Sequence, residues 1–244
     1  MRKNVLITGG AGGIGSEIVK RFIEGGFFVH VIDIDTKGAK ELLTTFGKDN
    51  INVINVDVTD ESALKNYVLS LKDFSIEHII TVAGRALCDE WKGFLNLGLD
   101  SVKKSVELNL LGHLNVIHEF APFLTKTSNN KSVLMISSIN ALGGFGLPAY
   151  SAAKAGLVGF MNATAFEFGD LGIRINVLSP GTIVTEATKK EPKDFGSLLN
   201  GTAINKFATT DEVADLSFRI CNDFTSVTGQ NFIIDAGQSI SRIK

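Results

Sequence analysis

"NVLITGGAGGIGSEIV", residues Asn4 to Val19, decides how the chain is read. A short apolar run leads into a cluster of glycines, and the glycines lead into a segment of helical period. The spacing is Thr8-Gly9-x-x-x-Gly13-Ile14-Gly15. Glycine permits a tight strand-to-helix turn and lets backbone come close to a phosphate. The helix that follows then offers free N–H groups and the positive end of its dipole to an anion. Glycines also make ordinary turns. Their position between strand and helix is what favours a dinucleotide cradle.

The same rhythm continues outward. "FFVHVI", "INVINV", "HIITVA", "SVLMIS", "IRINVL" and "NFIID" are short apolar runs. Helical segments follow them at Lys37 to Phe46, Glu61 to Leu71, Ser101 to Leu124 and Ala149 to Phe168. Strands this short and apolar, separated by helices, predict a parallel sheet covered on both faces, doubly wound with right-handed crossovers. One segment, "TEATKKEPKDFGSLLNGTAINK" (Thr185 to Lys206), breaks the rhythm after a strand end. It reads as a flap over a ligand site. No repeat, low-complexity tract or linker interrupts the chain, so residues 1–244 read as one domain.

Composition narrows the function. The 244 residues are 44% hydrophobic and carry a net charge of −2, with no run of like charges. Neither a nucleic-acid surface nor a membrane span is expected, since no apolar run approaches ~18 residues. The two cysteines, Cys88 and Cys221, lack metal-like spacing, and a reducing, cytoplasmic setting is expected. His30, His78, His113 and His118 form no cluster. They read as structural, and no metal site is expected.

Polar residues at strand ends are the candidate site. Asp33 follows the second strand ~20 residues beyond the glycines, where a carboxylate can accept hydrogen bonds from an adenosine ribose and repel a 2′-phosphate. Gly12 supplies no positive charge for such a phosphate, so NAD is favoured over NADP. Asp35 competes with Asp33 for this role. Asp57, in "NVDVTD", can reach an adenine edge or simply open a helix. Ser137 and Ser138 close the fifth strand at the same edge. Asn109 is a polar residue on an apolar helical face, able to satisfy backbone or to anchor a water.

"LPAYSAAKAG" (Leu147 to Gly156) places Tyr150 and Lys154 four apart, on one helical face. An ammonium within ~4–6 Å favours the phenolate and can lower a tyrosine pKa by one to three units from ~10. A phenol brought to ~7–8 could donate and accept a proton at neutral pH.

Together these motifs resemble the short-chain dehydrogenase/reductases, over essentially the whole chain to "VTGQNFIIDAG". The matching set is the glycine loop, Asp33, Asp57-Val58, Ala83-Gly84, Asn109, Ser138, Tyr150-x-x-x-Lys154 and Pro180-Gly181-x-x-x-Thr185. The resemblance implies an α/β Rossmann-type fold of about seven parallel strands, three layers deep, and a homotetramer or homodimer. It also implies a tetrad. Tyr150 is the acid/base, Lys154 binds the nicotinamide ribose and lowers the tyrosine pKa, Ser138 orients the substrate oxygen, and Asn109 holds a relay water. Pro180, Gly181, Ile183 and Thr185 line the nicotinamide end of the cofactor. Two departures stand out. Thr81-Val82 replace the family's asparagines before Ala83-Gly84. The loop from Ser138 to Tyr150 is one residue short, so that counting back from Tyr150 points to Ser137 while strand register points to Ser138.

The function expected is hydride transfer between a nicotinamide cofactor, NAD by preference, and a small carbonyl or secondary alcohol. The alternatives are an NADPH-dependent 3-oxoacyl-acyl-carrier-protein reductase and a non-catalytic dinucleotide sensor or scaffold. Against the first of these stands the lack of basic residues in "TSNN" and "FGDLG", where an acidic carrier would dock. The substrate-setting segments are near Ala86 to Leu97, Asn140 to Leu147 and Thr185 to Lys206.

Overall fold

The computed structural model describes residues 2–72, 74–127, 130–143 and 145–240. Ser128 and Asn129 of the "TSNN" segment, and Gly144 of the expected substrate-setting loop, lie outside that set, as does the side chain of Cys88.

Seven parallel strands form one sheet in the order β3-β2-β1-β4-β5-β6-β7. They are β1 (Asn4–Thr8), β2 (Phe28–Ile32), β3 (Ile51–Ile54), β4 (His78–Thr81), β5 (Lys131–Ile136), β6 (Ile173–Pro180) and β7 (Asn231–Ile234). The apolar runs become strands because both faces are covered. On one face Val5, Ile7, Val29 and Val31 pack with Ile18, Val19 and Phe22 of α1 (Gly13–Glu24), Leu42 of α2 (Thr36–Phe46) and Val213 and Phe218 of α8 (Thr210–Asn222). On the other, Leu6, Ile79, Val133 and Ile175 pack with Leu64 of α3 (Glu61–Ser70), Val116 and Phe120 of α5 (Gly112–Leu124) and Leu157 and Met161 of α6 (Pro148–Asp170). The order reverses between β1 and β4, and in an open α/β sheet the ligand crevice lies there, beyond the strand C-termini.

The structure departs from the sequence reading at two elements. The expected helix from Ser101 to Leu124 is interrupted. It runs as α4 (Leu99–Val106), a π-helical turn at Glu107–Leu111, and α5. A π turn sits where an inserted residue shifts the backbone register, often at functional sites. Helix α8 was not anticipated at all, although Thr209 and Glu212 form a capping box at its start. Between β6 and α8 lies the expected irregular segment, which holds a 3₁₀ turn at Thr188–Lys190 and a short α7 (Phe195–Asn200).

Candidate active site

A cavity of about 1110 Å³ occupies the crevice, large enough for a dinucleotide together with a small substrate. The glycine loop forms one wall. Gly9 has a positive φ of 66°, and a Cβ there would lie 2.8 Å from the Ala83 backbone. A Cβ on Gly15 would lie 2.0 Å from the Gly9 carbonyl oxygen. The turn therefore tolerates only glycine at both positions. No side chain caps α1 at Gly12, and its first turn carries no acidic residue. The N-terminal N–H groups that a helix leaves unpaired face the cavity, so the loop fits a pyrophosphate.

Asp33 sits on the rim beyond β2, held in place by its own hydrogen bonds. Its Oδ2 accepts from Ala11 N at 2.8 Å, and its Oδ1 from Asp35 N at 2.9 Å. Asp35 is the N-cap of α2, accepting from Lys37 N and Gly38 N. This local role accounts for Asp35 and leaves Asp33 as the carboxylate locked at the loop. Asp57 also makes a local turn, accepting from Thr59 N and Oγ1, while it and the buried Val58 line the cavity. At the nicotinamide end, Ala83, Gly84, Pro180, Gly181, Ile183 and Thr185 line the same space. Thr8 Oγ1 accepts from Val82 N and Ala83 N, which fixes the path after β4.

Tyr150, Lys154 and Ser138 converge on this cavity. Lys154 Nζ lies 5.7 Å from the Tyr150 ring centroid. The two serines separate by role. Ser137 is buried and donates to the Lys154 carbonyl at 2.9 Å, tying α6 to the end of β5. Ser138 is half-buried and lines the cavity, its Oγ donating to Asn140 Oδ1 at 3.1 Å. Both serines line the cavity, and Ser138 is the one whose hydroxyl proton is not committed to backbone. Leu147, the residue before α6, holds a left-handed conformation at φ 53°. A non-glycine residue there is strained, and this one sits at the entry to the helix bearing Tyr150.

Three residues are placed in more detail than the sequence allowed. Lys154 was expected to lower the Tyr150 pKa. Burial instead pushes the phenol up to about 12; the Ser138 hydrogen bond pulls it down, and the Glu191 and Glu90 carboxylates add to the rise. Lys154 itself is pushed down to about 7 by burial. Second, the Asn109 side chain serves backbone. Its Oδ1 accepts from Arg85 N at 2.8 Å, and its Nδ2 donates to the Arg85 and Ser105 carbonyls. Third, His113, read from the sequence as structural, is buried directly behind the site. Its Nε2 lies 3.3 Å from Lys154 Nζ, and its Nδ1 lies 2.7 Å from Thr81 Oγ1. Sequence reading treated Thr81 as a gap in the family pattern. The signal missed was that His113 and Asn109 are four apart and share a helical face.

Glu90 was also unforeseen. It is 1% exposed, and it accepts from Tyr150 N at 2.7 Å and from Ser105 Oγ at 2.6 Å. It thereby joins the first turn of α6 to α4.

The comparisons with known proteins agree with this geometry. The family model for short chain dehydrogenases matches residues 3–195. An uncharacterised oxidoreductase of Schizosaccharomyces pombe is 32% identical, with 96% of this chain and 89% of that protein covered. An L-rhamnose 1-dehydrogenase (NADP(+)) of Thermoplasma acidophilum is 28% identical, with 98% and 97% covered. Among solved structures, ElxO with NADP bound superposes with a TM-score of 0.88 at 29% identity, covering 98% of this chain and 99% of that one. The chain belongs to the short-chain dehydrogenase/reductase family and is an NAD(P)-dependent oxidoreductase.

Proposed function

We propose that the protein reduces a small carbonyl compound, or oxidises the matching secondary alcohol, with Tyr150 as the general acid/base and NAD as the preferred cofactor. The observation that carries this reading is the convergence of Tyr150, Ser138 and Lys154 on the cavity that the glycine loop opens. A nicotinamide dinucleotide supplies the hydride when bound; the remaining chemistry belongs to the chain. In the reductive direction an oxyanion develops on the substrate. Ser138 Oγ and the Tyr150 hydroxyl are placed to hydrogen-bond it, and Tyr150 delivers the proton. A phenol raised to about 12 still carries its proton at pH 7, so the proton needed in the reductive direction is in place. Lys154 meets the ribose beside it, and the π turn around Asn109 keeps the backbone there available to a relay water. The segment from 185 to 206 serves as the substrate flap. Its Glu191, Pro192, Lys193 and Ser197 line the cavity, with Lys193 paired to Glu191 at 2.5 Å and lying over the Trp91 ring at 5.4 Å.

Asp33 supports NAD, because its anchored carboxylate would face a 2′-phosphate at short range. NADP is the second reading, favoured by the NADP named for ElxO and for the rhamnose dehydrogenase. A 3-oxoacyl-carrier reductase is a weaker alternative; its solved examples are 24% identical to this chain. The test is a fluorescence titration with NADH and NADPH, followed by turnover of a carbonyl panel with 4-deuterated cofactor. Tighter NADH binding and deuterium on the product carbinol are expected. No deuterium transfer to any carbonyl would overturn the reading.

A further inference from the structure

His113 lies behind the cavity wall, against the lining residue Lys154, and the mechanism above leaves it unused. It is 2% exposed on α5 and fixed at both ring nitrogens. Nε2 faces Lys154 Nζ at 3.3 Å, and Nδ1 faces Thr81 Oγ1 on β4 at 2.7 Å. Lys154 also donates to the Ile136 carbonyl of β5 at 2.9 Å. An ammonium has donors only, so whenever Lys154 is charged its Nζ–H must meet a lone pair at Nε2. That places the imidazole proton on Nδ1, where the Thr81 hydroxyl can accept it. The pair Thr81 and His113 thus sets one tautomer and aims one acceptor at the lysine.

We propose that His113 is a positioning residue for Lys154: anchored by Thr81, it presents a neutral imidazole acceptor that holds the buried ammonium charged and oriented beside Tyr150. The inference deepens the reading of Lys154 as the ribose-binding partner of Tyr150 and rests on it. Burial holds His113 well below the ordinary histidine range and the Lys154 charge pushes the same way, against a smaller opposing pull from a backbone hydrogen bond at Ala83, so the ring stays neutral and able to accept. The groups that meet Lys154 are His113 from α5, the Ile136 carbonyl from β5 and Tyr150 from its own helix. Among the described residues no carboxylate forms an ion pair with it. Glu90 and Glu191 act on Tyr150 instead. With no anion compensating the lysine, the histidine lone pair is the main side-chain support for its charge. Thr81, which departs from the family pattern, is the other half of this device.

The experiment labels lysine with ¹³C at Cε and follows the Lys154 resonance against pH, assigned by its loss in Lys154→Met. His113→Leu removes the acceptor, and the Lys154 titration is expected to move down by about one pH unit. His113→Gln restores an acceptor near the Nε2 position and is expected to recover most of that shift. Thr81→Val frees the tautomer and is expected to lower the titration in the parent chain but to leave it unmoved in the His113→Gln background. This coupling separates positioning from mere packing, and it can be read from Thr81→Val and His113→Gln even if His113→Leu does not fold. An unmoved Lys154 titration in Thr81→Val, or equal Thr81→Val effects in both backgrounds, would overturn the proposal. Because the readout is a resonance, it stands apart from catalysis. Failure to turn over any carbonyl would count against the functional reading and leave the Lys154–His113 pairing as measured.

Discussion

At the residue scale, the site is set by three groups whose protonation is shifted by burial. The tuning expected from the sequence, one cation lowering one phenol, is not what sets Tyr150. Desolvation raises it, the Ser138 hydrogen bond opposes the rise, and two carboxylates add to it. This has a testable sign. Glu90→Gln removes a negative charge that disfavours the phenolate but keeps an oxygen for the Tyr150 N–H. The Tyr150 limb of the pH–rate profile should therefore move to lower pH, with cofactor affinity changed by less than about twofold. An unmoved limb would show that Glu90 acts only as a strut. What the sequence made legible here was the identity of Tyr150, Lys154, Ser138 and Asp33, because each follows a strand end or keeps a fixed helical spacing. The Glu90 and His113 contacts were not legible. They join residues 60 and 41 positions apart, and only the packing of the Cys88–Lys92 turn and of α5 against α6 brings them together.

At the element scale, the strand runs and most helices were readable from apolar periodicity. The exceptions have physical causes. The π turn at Glu107–Leu111 leaves no periodic mark, since one added residue merely slides the apolar stripe around the helix. Helix α8 was hidden by the irregular stretch before it, although its start is written in Thr209 and Glu212. Thr209→Ala should lower unfolding free energy by about 1 kcal/mol, measured by urea denaturation. The glycine loop should be less forgiving. Gly15→Ala forces a contact with the Gly9 carbonyl and should abolish dinucleotide binding, scored by NADH fluorescence. Binding retained at parent affinity would mean that the turn can open without loss.

At the scale of the whole molecule, buried histidines make stability depend on pH, two of them on strands. Burial lowers His30 to about 4 and His78 to about 3, against an unfolded value near 6.5. Between those limits the unfolded chain binds more protons than the folded one, so stability rises with pH and is lost as pH falls from about 6.5 toward 4. His30 Nδ1 has no hydrogen-bond partner among the described residues, so His30→Leu should flatten that decline in a thermal-melt series. The expected homotetramer or homodimer would need an exposed apolar face around α5 and α6. Met161 and Phe168 are core residues, whereas Phe166 is 89% exposed on α6 and Leu111 is 44% exposed where the π turn meets α5. If that face joins subunits, Phe166→Lys should reduce the mass seen by light scattering.

The central claim is that Tyr150 moves the proton while the dinucleotide site stands independently of it. Tyr150→Phe tests it most directly, because it removes one hydroxyl and keeps the ring. Turnover should fall by ~10²–10⁴, with the NADH dissociation constant within about twofold of the parent. Turnover near the parent level, with the hydroxyl gone, would contradict the account.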